Sequence, residues 1–260
     1  MSLLTPAIRP SAVARINPVA KLVAALLIGI VLLLTVDWVS AAVALLLEAL
    51  LLAWAGLGAR ELLLRTAPLW VAAPLAAITT VLYGEDHGAV LLPWGWITVT
   101  EGSLALGLAI GLRILAIGLP GIVLFATTDP TDLADGLAQV LRLPARFVLG
   151  GLAGLRLVGL LIEDWRSLGL ARRARGIADR NPIGRFFGQA FALLVLSVRR
   201  GSKLATAMEA KGFGSDIPRS WARPSVFGGR EWMLVAIAAL IAAVAVTVSI
   251  ATGSWNFVLS

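Results

Sequence analysis

Apolar residues in this chain run in long, almost unbroken stretches, not at the intervals of a half-buried helix or strand. Five stretches, residues 19–36, 39–55, 66–83, 102–126 and 232–251, are apolar enough and close enough to about 20 residues to predict helices that cross a hydrocarbon core. The second is short, and the first two meet at a tight turn around Asp37 and Trp38. Trp38, Trp70, Trp94, Trp96, Trp232 and Trp255 fall mostly near the ends of these stretches, where an aromatic belt would place them. Gly107 and Gly111, four apart in the fourth stretch, predict the close approach of a neighbouring helix.

The pattern changes between residues 127 and 230. Thr127-Thr128-Asp129-Pro130-Thr131-Asp132 is a helix-start signal, with cap-forming residues and a proline in the first turn, and predicts a helix through Leu141. Pro144 opens a second helix, from 145 to about 176, and Pro182 a third, from 183 to about 212. Each of these two begins apolar and becomes basic. Residues 147–162 carry only Arg156, whereas 163–180 carry Arg166, Arg172, Arg173, Arg175 and Arg180. Residues 186–198 carry no charge, and Arg199, Arg200, Lys203 and Lys211 follow. The second apolar half is too short to span, and the first holds Arg156 among Gly150, Gly151, Gly154 and Gly159. Both helices read as long and amphipathic, lying at the cytoplasmic face with their apolar ends against membrane helices. A seven-span chain, in which both apolar halves cross, is the alternative.

Composition sharpens this picture. Of 260 residues, 59% are hydrophobic and 14% charged, against roughly a quarter charged in soluble domains. With a mean hydropathy of +0.91, too few polar groups remain to cover a water-exposed surface, so the bulk belongs in lipid. The net charge of +7 is distributed by side. Arg9 and Arg15 precede the first stretch and Lys21 lies in its opening turn, Arg60 and Arg65 separate the second and third, and arginines crowd 129–230. The loop 84–101 has Glu85, Asp86 and Glu101 but no lysine or arginine. Placing cations on the cytoplasmic side puts the N-terminus inside, that loop outside and the C-terminus outside. Basic residues set among membrane-length stretches argue against a nucleic-acid partner. The expected fold is an all-α integral membrane protein. It has about five transmembrane helices plus two long cytoplasmic amphipathic helices. The expected divisions are 1–126 for four membrane helices, 127–230 for the cytoplasmic helices and 231–260 for the last span.

The two long helices end alike. Ala171-Arg172-Arg173-Ala174-Arg175-Gly176-Ile177 matches Ala207-Met208-Glu209-Ala210-Lys211-Gly212-Phe213, 36 residues on. Glycine favours the left-handed conformation just past a helix end, and a cation in the last turn suits the negative end of the helix dipole. Alanines three apart keep one face slim enough to enter a groove on another protein. One such end is ordinary capping; two, on adjacent cytoplasmic helices of a membrane protein, are a motif. In this the chain resembles the transmembrane T component of energy-coupling factor (ECF) transporters, which carries paired Ala-Arg-Gly tips on two coupling helices. Arg15-Ile16-Asn17-Pro18-Val19-Ala20-Lys21, Thr127-Thr128-Asp129-Pro130, Leu143-Pro144 and Ser197-Val198-Arg199-Arg200 are similar to other stretches of that family.

The resemblance implies two cytoplasmic ATPase subunits, each holding one tip: Ala174, Arg175, Gly176 and Ile177 in one groove, Ala210, Lys211, Gly212 and Phe213 in the other. It further implies a substrate-binding membrane S subunit and import of a vitamin, a metal ion or another small nutrient. Lys211 stands where the family usually has arginine; it keeps the charge but loses the planar fork that binds a carboxylate bidentately.

Other chemistry is sparse. Arg113 falls near the centre of the fourth stretch, where a charge is costly unless paired, and Glu48 in the second is its nearest counter-ion by depth. Cysteine is absent and His87 is the only histidine, in the outer loop, so neither a metal site nor a thiol nucleophile is expected. No cofactor or catalytic residue is predicted. No Gly-x-x-x-x-Gly-Lys-Ser/Thr phosphate loop occurs, so any ATP must be hydrolysed by another chain. Asp129, Asp132 and Asp135 would suit a metal-dependent lipid-phosphate transferase, but read better as a cap and a first helical turn. A self-contained secondary transporter would need broken helices and paired charges in two repeated halves.

Overall fold

The computed structural model describes residues 15–54, 59–84, 88–94, 97–176, 182–214 and 220–256. Ile177, the acidic loop residues Glu85 and Asp86, His87, Trp96, Arg9 and Arg180 lie outside them. In chain order the elements are α1 (Pro18–Leu33), α2 (Trp38–Trp54), α3 (Ala59–Tyr83), β1 (Val90–Trp94), β2 (Ile97–Thr100), α4 (Glu101–Ala126), α5 (Pro130–Gln139), α6 (Ala145–Ala174), α7 (Pro182–Ala210) and α8 (Gly229–Ala251).

The helix starts fall where proline and capping residues predict them. Asp129 Oδ1 accepts the Thr131 N–H at 2.7 Å to open α5. Thr100 and Ser103 cap α4 reciprocally, each hydroxyl accepting the other's backbone N–H. One segment expected to be a plain loop is instead an antiparallel hairpin, in which β1 pairs with β2. Its chemistry was present in the β-forming run of valine, leucine and isoleucine.

Among the described residues, four helices are long and apolar enough to cross a membrane: Leu63–Tyr83, Glu101–Leu124, Ala145–Ala174 and Gly229–Ala251. α1 and α2 are equally apolar, but their 16 and 17 residues give about 24 Å of helix, so flanking residues must complete a crossing of about 30 Å. α6, expected to lie at the cytoplasmic face, meets the same standard of length and composition.

The chain divides into two compact units, one holding Ala134–Ser225 and the larger one Pro6–Leu133 with Val226–Ser260. In the larger unit α1, α8, α2 and α4 pack as a closed ring, each touching the next, and α3 lies along α4. Its packing is inverted relative to a soluble core. Small residues such as Ala20, Ala41, Ala44, Ala116 and Ala245 are buried, whereas Leu46, Leu50, Leu75 and Leu240 stand exposed, as a lipid-facing surface requires. The α3–α4 contact runs over glycines. A Cβ on Gly107 would lie 2.5 Å from Val81 Cγ2 and 2.9 Å from the Ala77 carbonyl oxygen. One on Gly111 would lie 3.1 Å from Ala77 Cβ, and one on Gly118 2.6 Å from Leu69 Cδ1.

Polar ties close the ring at both ends. At one, the buried Asp37 carboxylate accepts the Ser40 N–H at 2.7 Å and the Ser40 hydroxyl at 2.8 Å, capping α2. It also accepts the Ser249 hydroxyl of α8 at 2.7 Å. At the other end, Asn17 Oδ1 accepts the Val19 N–H, and its Nδ2 donates to the Val226 carbonyl at 2.9 Å. The last carbonyls of α4 are taken by cations from two other helices. Arg65 Nη1 donates to Ala126 O at 3.1 Å, and Lys21 Nζ donates to Thr127 O at 3.0 Å and to its hydroxyl at 3.2 Å. Asp37→Ala removes a cap and leaves Ser249 without its acceptor, so it is expected to destabilise the protein by about 2 kcal/mol. Asp37→Asn, which keeps the cap, should cost less; thermal unfolding in detergent compares the two.

Candidate functional site

The smaller unit holds both helix tips. α6 and α7 lie antiparallel: Arg172 Nη1 donates to Arg185 O at 3.0 Å, Trp165 stacks edge-on against Phe186 with centroids 5.6 Å apart, and Gln189 Nε2 donates to the Trp165 carbonyl. Farther along, Arg200 forks onto Asp164, with Nη1 at 2.6 Å from Oδ2 and Nη2 at 3.4 Å from Oδ1. This arrangement sends the two tips to opposite ends of the pair. The Arg175 end sits beside the start of α7, and the Lys211 end lies a full α7 length away, about 43 Å for 29 residues.

Both ends form as the spacing predicts. Gly176 and Gly212 have φ of +67° and +74°, the left-handed conformation that a Cβ penalises. Gly212 N–H donates to Glu209 O at 2.9 Å and Phe213 N–H to Met208 O at 2.9 Å, the crossed pair of bonds of a Schellman cap. At the first tip Gly176 N–H donates to Arg173 O at 3.0 Å in the corresponding way. Arg175 and Lys211 are exposed on the last turns.

The tips differ in their surroundings. Lys211 and Phe213 border a cavity of about 470 Å³ between the two helices, walled by Leu152, Leu157, Leu204 and Met208. Arg156 and Arg200 line the same cavity, so three cations surround a largely apolar hollow. Phe213 is half-buried there. Arg156, which in sequence only interrupts an apolar run, is brought to the second tip by the antiparallel pairing. Spacing within one helix carries no signal for that.

Much of the pair's remaining surface is apolar and uncovered. Phe147, Phe187 and Phe191 are each about two-thirds exposed, no residue of α6 is buried, and in α7 only Gln189 is. Apolar exposure of that extent marks a face made for lipid or for another protein.

Glu48 and Arg113 are not joined. Both carboxylate oxygens of Glu48, and Nε and Nη2 of Arg113, are buried without a hydrogen-bond partner. Among the described residues no cluster of three or more His, Cys, Asp or Glu could hold a metal ion.

Comparison with known proteins agrees with the membrane architecture. The CbiQ family profile, described as cobalt transport protein, matches residues 10–220. The energy-coupling factor transporter transmembrane protein EcfT of Brevibacillus brevis is 29% identical over 203 residues, covering 73% of each chain. That of Acidaminococcus fermentans is 29% identical over 233 residues, 84% of this chain and 85% of its own. That of Lacticaseibacillus paracasei is 31% identical over 160 residues, 56% of this chain and 60% of its own. The chain is a multi-pass membrane protein that belongs to the CbiQ family, the family of EcfT-like T components of energy-coupling factor transporters.

Proposed function

We propose that this chain is the non-catalytic coupling subunit of an ATP-driven micronutrient importer in a prokaryotic cell membrane, with its N-terminus cytoplasmic. Two cytoplasmic ATPase subunits hydrolyse the ATP, and each grips one tip. Ala174, Arg175, Gly176 and Ile177 enter one groove; Ala210, Lys211, Gly212 and Phe213 enter the other. Arg175 and Lys211 meet acidic side chains in charge-assisted contacts. Closure of the ATPase pair moves the ends of α6 and α7, and their apolar faces pass that movement to a substrate-binding membrane S subunit carrying a vitamin or metal ion.

The observation that supports this best is the placing of two glycine-capped cationic tips at opposite ends of one antiparallel helix pair. Two grips that far apart suit two separate partner chains better than one. Purification of the tagged chain from native membranes in mild detergent tests the reading. Two ATPase chains and a small hydrophobic subunit are expected in the eluate. Recovery of the chain alone, with ATP-independent substrate uptake after reconstitution, would instead establish a self-contained secondary transporter.

A further inference from the structure

The ring of α1, α2, α4 and α8 is not filled. A cavity of about 610 Å³ lies among all four helices, walled by Ala24, Ile28, Leu51, Val123, Leu234 and Ala238. Ala24, Ala25 and Ala238 are small side chains among its walls on α1 and α8. Its size is that of a site for a small organic molecule and far exceeds the voids of a packed interior. Glu48 and Ile241 mark its inner end. Beyond them Leu32, Ala44, Ala116 and Ala245 belong to a buried cluster, and the lining runs from there to Arg15 and Arg230, at the end where α1 and α8 begin.

That opening is cationic. Arg15, Lys21 and Arg230 all line it. Lys21 is held by Thr127, and Arg15 and Arg230 are exposed at the rim. The acid nearest the rim on α8, Glu231, is committed to the backbone N–H groups of Asn17 and Gly228. A shaft apolar except for Glu48 at its inner end, with arginines at its mouth, matches an amphiphile with an anionic head. In a membrane-spanning helix ring, a phospholipid is the amphiphile always at hand, and its phosphate lies at the depth of basic residues flanking the spans.

We propose that this cavity binds one acyl chain of an anionic phospholipid, with the headgroup phosphate against Arg15 and Arg230. The bound chain completes the packing of the ring. It also sets the headgroup beside Lys21, the residue that clamps the end of α4.

The test is lipid retention. The protein is reconstituted in nanodiscs of equal parts phosphatidylglycerol and phosphatidylcholine, extracted into detergent and weighed by native mass spectrometry. One phosphatidylglycerol per chain is expected to survive extraction. Ala238→Phe, which fills the shaft, and the pair Arg15→Gln with Arg230→Gln should each lower retention about tenfold. Leu240→Phe, on the exposed face of the same helix, should leave it unchanged. If Ala238→Phe does not fold, Ala24→Leu fills the shaft from α1. Equal retention in the filled variants, equal retention of phosphatidylcholine, or a free fatty acid in place of the phospholipid would each overturn the proposal.

Discussion

Replacing Arg175 and Lys211 together with glutamate is expected to abolish co-purification of ATPase subunits while leaving the chain folded in the membrane. Each cation stands exposed on the last turn of its helix, and each helix is terminated by its own glycine cap, so reversing the charge disturbs no buried contact. A hydrogen bond to a charged group contributes about 1.5–3 kcal/mol, and reversal converts that attraction to repulsion. A single reversal should weaken association by about ten- to a hundredfold, because the other tip still holds one partner. The double reversal leaves nothing to hold. Lys211→Arg restores a planar fork and should bind as well as the parent or better. Stoichiometric assembly of the doubly reversed chain would rule out the tips as the gripping elements.

The second large effect is structural. Gly107→Val is expected to separate α3 from α4 and to lower stability by about 3 kcal/mol or more. Even the first added carbon would lie 2.5 Å from Val81 Cγ2 and 2.9 Å from a backbone oxygen, which cannot turn aside. Gly111→Ala should cost less, since its new methyl meets another methyl at 3.1 Å. Gly121→Ala, on the same helix but with nothing within 4 Å, is the control. It should be neutral or should gain up to about 1 kcal/mol from helix propensity. Thermal unfolding in detergent separates the three; a Gly107→Val protein as stable as the parent would mean that the α3–α4 contact is looser than its geometry implies.

Local signals in the sequence were reliable where the cause is local. Pro130, Pro144 and Pro182 mark helix starts because proline is preorganised for a first turn, although Pro68, Pro74 and Pro120 lie inside α3 and α4 and mark no start. Gly176 and Gly212 mark the ends because only glycine enters the left-handed region freely. Gly107 and Gly111 announced a close contact, and Gly118, seven residues further on the same face, was readable by the same rule. What the pattern did not carry depends on distant parts of the chain meeting. Asp37 reads as a turn residue, yet it joins α2 to α8 across more than 200 positions. Glu48 and Arg113 look like partners by depth alone, yet the Glu48 carboxylate and Nε and Nη2 of Arg113 have no hydrogen-bond partner. Arg156 comes to the second tip only through the antiparallel pairing of α6 and α7. The cavity inside the helix ring has no signature beyond a scatter of alanines, which serve equally for tight packing.

The separation of the tips has a mechanical consequence. A straight helix about 43 Å long, gripped at its ends, acts as a lever: each ångström by which one end is displaced sideways tilts it by roughly 1.3°. The Asp164–Arg200 fork and the Gln189 bond to Trp165 fasten α7 to α6 at two points well inside those ends, so the two helices would turn together as a double-stranded beam. Cutting the fork would leave both grips intact but let the beam shear, so that force applied at one end dissipates before it reaches the other.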